Sequence, residues 1–313
     1  MTIRILLLAL LLLFALAAQA QIELVPGVHL LRGTFTPGTQ PDGNTIILDA
    51  PDGLVVVDTG RHAAHTQAIL DYAKSAGRPI AAVVNTHWHL DHIGGNAAIR
   101  AAYPAVRVYA SGALQDALTG FLARYRSQLQ ELIQSAKSEE QKNVFETEVR
   151  LIDQGAKLAP DVVITSSGPR SIAGRTFTVG LETHSVTAGD VWLFDPGRGI
   201  LIAGDLVTLP APFLDTACPL RWKSSLDRLA ALDFSLLIPG HGAALTKKQF
   251  DVYRSAFASL LDCTGEKEPC INAWITAIAP LTTDDEKFTR SLMGYYVDVL
   301  RSDPAKLQAL CGE

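Results

Sequence analysis

Thr86-His87-Trp88-His89-Leu90-Asp91-His92 is the stretch on which the reading of this chain turns. Three of the chain's eight histidines fall within six residues, with an aspartate between the second and third. Ile80–Asn85, just before it, is rich in Ala and Val and reads as a buried strand. Residues two apart in extended chain point to one side. His87 and His89 therefore share a side, and Trp88 turns the other way to pack in the core. Asp91 and His92 follow on the next turn. Gly94-Gly95 lets the backbone bend before a helix that starts at Asn96. Imidazole and carboxylate donors thus gather at the carboxyl end of a strand, where α/β sheets carry their sites.

Imidazole and carboxylate without thiolate suit Zn²⁺, with Fe and Mn as alternatives. One tetrahedral zinc uses about three protein ligands and keeps an open position. Four donors in one short stretch exceed that, so further donors elsewhere would imply two ions. Three are available at strand ends. His184 closes a strand Leu181–His184. Asp205 stands in Gly204-Asp205 after the apolar run Gly199–Ala203. His241 stands in Pro239-Gly240-His241-Gly242 after a strand Ser235–Ile238. His29, His62 and His65 read as surface or helix-start residues, and Asp190 and Asp195 as turn residues.

Outward from the motif, short strands at Val28–Arg32, Asn44–Leu48, Leu54–Asp58 and Val106–Ala110 alternate with helices at Thr66–Ser75 and Asn96–Ala102. The alternation is that of an α/β sandwich. Phe121–Gln154 then runs without Gly or Pro and is rich in Leu, Gln, Glu, Arg and Lys, so it reads as helices inserted at about 112–154. Their role is either packing or a cap over a pocket. Strands resume at Arg175–Val179, Leu181–His184, Asp190–Asp195 and Gly199–Ala203. Helices follow at Leu226–Leu232 and Lys247–Asp262, and 263–313 reads as a helical extension broken near Pro280.

The first twenty residues stand apart. Arg4 precedes fourteen apolar residues, Ile5–Ala18, and Ala18-Gln19-Ala20 has the small-x-small form of a cleavage site. The pattern is that of a signal peptide, Met1–Ala20, and it is shorter than the roughly 20 apolar residues a spanning helix needs. The expectation is a periplasmic or secreted protein with no stable membrane insertion after cleavage. In that compartment Cys218, Cys263, Cys270 and Cys311 read as two disulfides. Three connectivities are open. The polar turn Thr264–Pro269 favours Cys263–Cys270 with Cys218–Cys311, and the competing pattern joins Cys270–Cys311 with Cys218–Cys263. With 48% hydrophobic and 19% charged residues the chain is globular, and a net charge of −5 with no basic block excludes nucleic acid as its main partner.

The motif, with His184, Gly204-Asp205 and Pro239-Gly240-His241-Gly242, resembles the metallo-β-lactamase-fold superfamily of zinc hydrolases. Val55-Val56-Val57-Asp58-Thr59-Gly60 resembles the strand and turn that precede the motif there. The likeness spans roughly Glu23 to Leu260. It implies a four-layer αββα sandwich over 21–262 with two Zn²⁺ per chain. His87, His89 and His184 would hold one ion. Asp91, His92 and His241 would hold the other, Asp205 would bridge both, and Asp58 would brace the metal loop from behind. One departure is local. The family often has His-Thr-x-Gly-Asp at the third histidine, whereas His184-Ser185-Val186-Thr187-Ala188-Gly189-Asp190 is two residues longer. An aspartate at 205 is similar to the glyoxalase-II-like branch, and Leu206–Trp222 more loosely resembles secreted zinc hydrolases found beside quinoprotein systems.

The function so implied is an exported zinc-dependent hydrolase acting on a small molecule. A metal-bridging hydroxide would attack an ester, thioester, lactone, lactam, phosphoester or sulfate ester, with Asp91 as its catalytic carboxylate. No Gly-x-Ser-x-Gly elbow offers a serine route. The alternatives are an iron-containing oxidoreductase on the same fold, a β-lactamase-type antibiotic hydrolase, and a non-catalytic binding module.

Overall fold

Leu54-Val55-Val56-Val57 is buried at every position, which marks a strand covered on both faces. Val55 and Val57 face a second sheet, whereas Leu54 and Val56 face helices. The computed structural model describes residues 21–35, 39–302 and 308–312. The signal segment Met1–Ala20 lies outside them.

Two sheets carry this pattern. The first runs in chain order: β1 (Ile22–Val25), β2 (Val28–Leu31), β3 (Thr45–Ala50), β4 (Gly53–Val57), β5 (Ile80–Val84), β6 (Arg107–Ser111) and β7 (Val162–Ile164). β1 to β4 pair antiparallel, and β4 to β7 pair parallel. The second sheet is also sequential: β8 (Gly168–Ile172), β9 (Arg175–Glu182), β10 (Asp190–Asp195), β11 (Ile200–Thr208), β12 (Leu236–His241) and β13 (Leu245–Thr246). There only β11 and β12 are parallel.

Helices cover both outer faces. α1 (Ala63–Ser75), α2 (Leu90–Ile93) and α3 (Asn96–Ala102) follow β4 and β5. Ile69 and Ala73 of α1 and Ile99 of α3 pack on Val56, Ile80 and Val83 of the first sheet. α4 (Ala113–Thr119), α5 (Phe121–Gln134) and α6 (Glu139–Ile152) form the insertion. Its apolar stripe, with Leu122, Leu129 and Leu151, closes around Trp88, which is buried as its alternation with the histidines demands. The second sheet is covered by α7 (Pro219–Ala230), α8 (Lys247–Leu261), α9 (Lys267–Ile278) and α10 (Glu286–Arg301). Trp222, Phe250, Phe257, Trp274 and Met293 belong to one cluster with Leu201 and Leu237 of that sheet. The layers are therefore helix, sheet, sheet, helix. None of the helices among the described residues is long and apolar enough to cross a membrane.

Three local expectations are corrected. The strands expected on either side of Gly180 are one strand, β9. Gly180 faces Trp192 across the ladder, and a Cβ there would lie 1.7 Å from the indole ring, so this glycine serves packing rather than a turn. Strand β9 ends at Glu182, and His184 lies in the following loop with φ 57°. Asp190 and Asp195 are not turn residues but the two ends of β10. Asp190 is buried and accepts hydrogen bonds from the Val186 and Thr187 amides, and burial pushes its carboxyl up to about 8. His62 and His65 stand at a helix start as expected, His62 as the residue before α1. His65 is 1% exposed with Nε2 2.9 Å from Thr45 Oγ1, and burial holds its pKa down at about 4.

The cysteines form Cys218–Cys311 and Cys263–Cys270, and none is free. Of the two pairings weighed, the one with the local turn is the one present.

Candidate metal centre

Four chain segments meet where the sheets' carboxyl ends converge. The turn after β4 carries Asp58 in the left-handed region, φ 61°. Its carboxylate accepts the Thr86 amide at 2.8 Å and the Thr86 hydroxyl at 2.7 Å, and lies 2.8 Å from His92 Nδ1. This fixes the start of the histidine turn and commits His92 Nδ1, so that Nε2 alone faces the centre. Nδ1 of His87 is likewise held, 3.0 Å from Thr86 Oγ1. Asp205 lies within β11 rather than after it, just past a register irregularity at Gly204. Gly240 makes room for it, because a Cβ there would sit 1.9 Å from Asp205 Oδ1. His241 ends β12.

The donor atoms come close together. His92 Nε2 is 3.2 Å from Asp205 Oδ1 and 3.5 Å from Asp91 Oδ2. His241 Nε2 is 3.1 Å from Asp91 Oδ2 and 3.6 Å from Asp205 Oδ1. His87 Nε2 is 3.6 Å from Asp205 Oδ2. The Nε2 atoms of all three histidines, and both oxygens of Asp205, are buried without a hydrogen-bond partner. Buried polar atoms left in this state are costly, and a cation is what satisfies such a set. Two overlapping groups have donors mutually within 4.8 Å: His87, His92 and Asp205, and Asp91, His92 and His241.

The electrostatics fit a cation. Burial opposes ionisation of Asp91, yet the neighbouring imidazoles and the Arg61 guanidinium hold its carboxyl well below the usual range. Asp205 is lowered in the same way by His92, His241 and His87 against its burial. Burial pushes His87 well down, keeping its ring neutral and its nitrogen free to donate. Burial raises Asp58, although His92 beside it pulls the other way.

His89 has Nε2 2.9 Å from Thr216 Oγ1, which leaves Nδ1 as the nitrogen it could offer an ion. One expected ligand is placed elsewhere. His184 is not brought to the cluster. Its Nδ1 is 3.2 Å from the Leu310 carbonyl oxygen, and its ring lies against Gly312 in the C-terminal turn.

Several residues escape the sequence reading. Arg61 lies 3.6 Å from Asp91 Oδ1 and is paired with Glu148 of α6, tying the insertion to the centre. Only its place three residues after Asp58 hints at this. Phe35 and Phe213 pack on the His241 ring at 5.2 and 5.1 Å. No sequence pattern marks these contacts, which join distant loops. Above Asp91 and His89 opens a cavity of about 600 Å³, walled by Phe35, Trp88, Phe121, Tyr125, Phe213, Phe288, Tyr295 and Tyr296. Phe121, Leu122 and Tyr125 bring the insertion to the cavity, so this segment both packs on Trp88 and caps the pocket.

Asp58→Asn is expected to weaken metal affinity by about 10–100-fold, the usual cost of losing a carboxylate that orients a ligating histidine. Competition with a chromogenic chelator measures it, and unchanged affinity would show that Asp58 does not steer His92.

An αββα sandwich with His and Asp donors at its strand ends defines a protein with a candidate metal site. The family model described as the metallo-beta-lactamase superfamily matches residues 38–241, and the chain belongs to that superfamily. A linear primary-alkylsulfatase from a Pseudomonas strain is 29% identical over 227 residues, 65% of this chain and 42% of that protein. The match thus spans less than half of that relative's length. Among solved structures, a metallo-beta-lactamase from Pontibacter korlensis has a TM-score of 0.55 at 23% identity, covering 76% of this chain and 98% of that one. FIM-1, a metallo-beta-lactamase from Pseudomonas aeruginosa in a mono-zinc form, has a TM-score of 0.55 at 19% identity over 77% of this chain and 95% of that one.

Proposed function

We propose that this chain is an exported zinc-dependent hydrolase of esters that carry an apolar alkyl or aromatic group. The observation that carries the reading is that a buried, cation-ready donor cluster meets, through Asp91, an aromatic-walled cavity. Asp91, His92, Asp205 and His241 would hold an ion, with His87 beside them. Once bound, such an ion polarises the scissile bond and makes water a nucleophile near neutral pH.

The chain's own residues supply the rest. Asp91 Oδ2 faces the imidazoles, and Oδ1 faces Arg61 and the cavity floor. Asp91 is therefore the group assigned to hold or move a proton during turnover. Aromatic rings over His241 exclude water and seat an apolar substituent. Arg61 is the one cation among the described cavity residues, and it is engaged by Glu148 and Asp91. A substrate rich in carboxylates, such as an acyl-glutathione, finds no matching charge there.

A sulfate ester is the second reading. It is favoured by the named activity of the alkylsulfatase relative, whose linear alkyl chains suit the same apolar wall. Export is supported by the two disulfides, which persist in oxidising compartments.

The test is a hydrolysis panel on the zinc-loaded full chain: aryl and alkyl carboxylic esters, a long-chain alkyl sulfate, a β-lactam and an acyl-glutathione thioester. Turnover of the apolar esters or the alkyl sulfate, abolished by chelator, is expected. Turnover of the thioester or the β-lactam alone would overturn the proposed substrate class, and no turnover of any would overturn the hydrolase reading.

A further inference from the structure

We infer that the chain builds one complete metal position, from Asp91, His92 and His241 with Asp205 alongside, and leaves the second position short of its third imidazole. This rests on the metal-centre reading above and not on the choice of substrate.

Ligand geometry carries the first half. Bonds of 2.0–2.1 Å in a tetrahedral site separate the ligand atoms by about 3.3–3.4 Å. Asp91 Oδ2, His92 Nε2 and His241 Nε2 lie within 4.8 Å of one another, with Asp91 3.5 Å from His92 and 3.1 Å from His241. Asp205 Oδ1 joins them 3.2 Å from His92 and 3.6 Å from His241. Three donors so placed can share one ion and leave a position open. The other candidate group, His87 with His92 and Asp205, cannot be filled at the same time. An imidazole nitrogen has one lone pair, and His92 Nδ1 is committed to Asp58, so His92 Nε2 serves a single ion.

The loop after β9 carries the second half. A second ion would have to rely on His87 Nε2, Asp205 Oδ2 and the remaining nitrogen of His89. The loop reaches His89 through Thr216, whose hydroxyl receives the His89 Nε2–H and donates to the Val186 carbonyl at 2.9 Å. The residue at that point of approach is therefore Val186, and its side chain is fully buried in the apolar cluster under α7 and α8. Val186 is also the residue that directly precedes Thr187-Ala188-Gly189-Asp190, the Thr-x-Gly-Asp part of the pattern that a histidine would lead. The two-residue excess is thus a displacement of the histidine, not an insertion within the loop.

His184 cannot swing back cheaply. Its ring holds the Leu310 carbonyl, Cys311 is bonded to Cys218, and the Cys218 amide donates to Ser185 at 2.8 Å. Three ties lock the 184–186 segment to the chain's end. His184 is a clasp for the C-terminal turn.

The test counts metal. The full oxidised chain is stripped with chelator, reloaded with Zn²⁺, desalted, and assayed for zinc per chain by mass spectrometry. One ion per chain is expected for the unaltered protein, for His184→Ala and for His87→Ala, and none for His241→Ala. Two retained ions in the unaltered protein, or loss of a retained ion in His184→Ala, would overturn the inference. One ion with no hydrolysis on the panel would leave this assignment standing while the hydrolase reading fell.

Discussion

Asp205→Ala is expected to lose the retained ion and to cut hydrolysis by at least about 10³-fold, the scale on which a lost charge partner in a dry site acts on a transition state. The side chain is 1% exposed, and its two oxygens face different imidazoles: Oδ1 toward His92 and His241, Oδ2 toward His87. Removing it deletes a donor that faces three imidazoles and half of the anionic charge that offsets the ion, since Asp91 is the other carboxylate in the set. Asp205→Asn keeps the shape but not the charge, so it is expected to bind the ion more weakly and recover part of the activity at high zinc. Metal content after desalting, with steady-state rates on the same samples, checks both. Full activity with a retained ion in Asp205→Ala would show that this residue is not a ligand.

Replacing Cys218 and Cys311 together by Ala is the second large effect. The bond closes a loop of sequence separation 93, against 7 for Cys263–Cys270. Chain entropy alone assigns about 4.6 kcal/mol to the long loop and about 2.4 to the short one. The long tie also seats the turn that His184 clasps and anchors the last helices on the outer layer. Denaturant unfolding of the two double variants should rank them in that order, with the Cys218/Cys311 variant lower by about 2 kcal/mol. Zinc content in the folded variant should stay at one per chain, because none of Asp91, His92, His241 and Asp205 lies in the 184–186 segment. An unchanged stability would mean that the tail contributes nothing to the outer layer.

The ligand motif was legible because the information in it is local. Histidines at 87 and 89 flank a buried tryptophan just past the end of β5, and α2 follows at once with Asp91 and His92, so spacing alone brings four polar groups to one strand end. Asp205 and His241 were legible for the same reason: each stands at or near the end of an apolar run. The burial of β4 on both faces, the helical insertion and the local disulfide also follow from patterns a few residues long.

The place of His184 was not. Composition says which residue types are present and not which way a loop turns. The direction is set by contacts from far away: Thr216 on Val186, Ser225 on Ser185, and Leu310 on His184. The burial of His65, which stands at a helix start as expected, has a similar cause. Its neighbours in sequence are polar enough for a surface, but β3 crosses over it and supplies Thr45. The cavity is likewise a tertiary product. Phe35, Phe121, Phe213 and Phe288 are scattered over some 250 residues, and only the meeting of two loops with the first turns of α5 and α10 makes them one wall. Local periodicity, which one chain segment can encode alone, determined the strands, the layers and the strand-end places of the five donors His87, Asp91, His92, Asp205 and His241 that the fold gathers. Which donors share an ion, and what shape of molecule can reach it, was decided by long-range packing, because a side chain's direction in a loop is chosen by the partners the fold delivers to it.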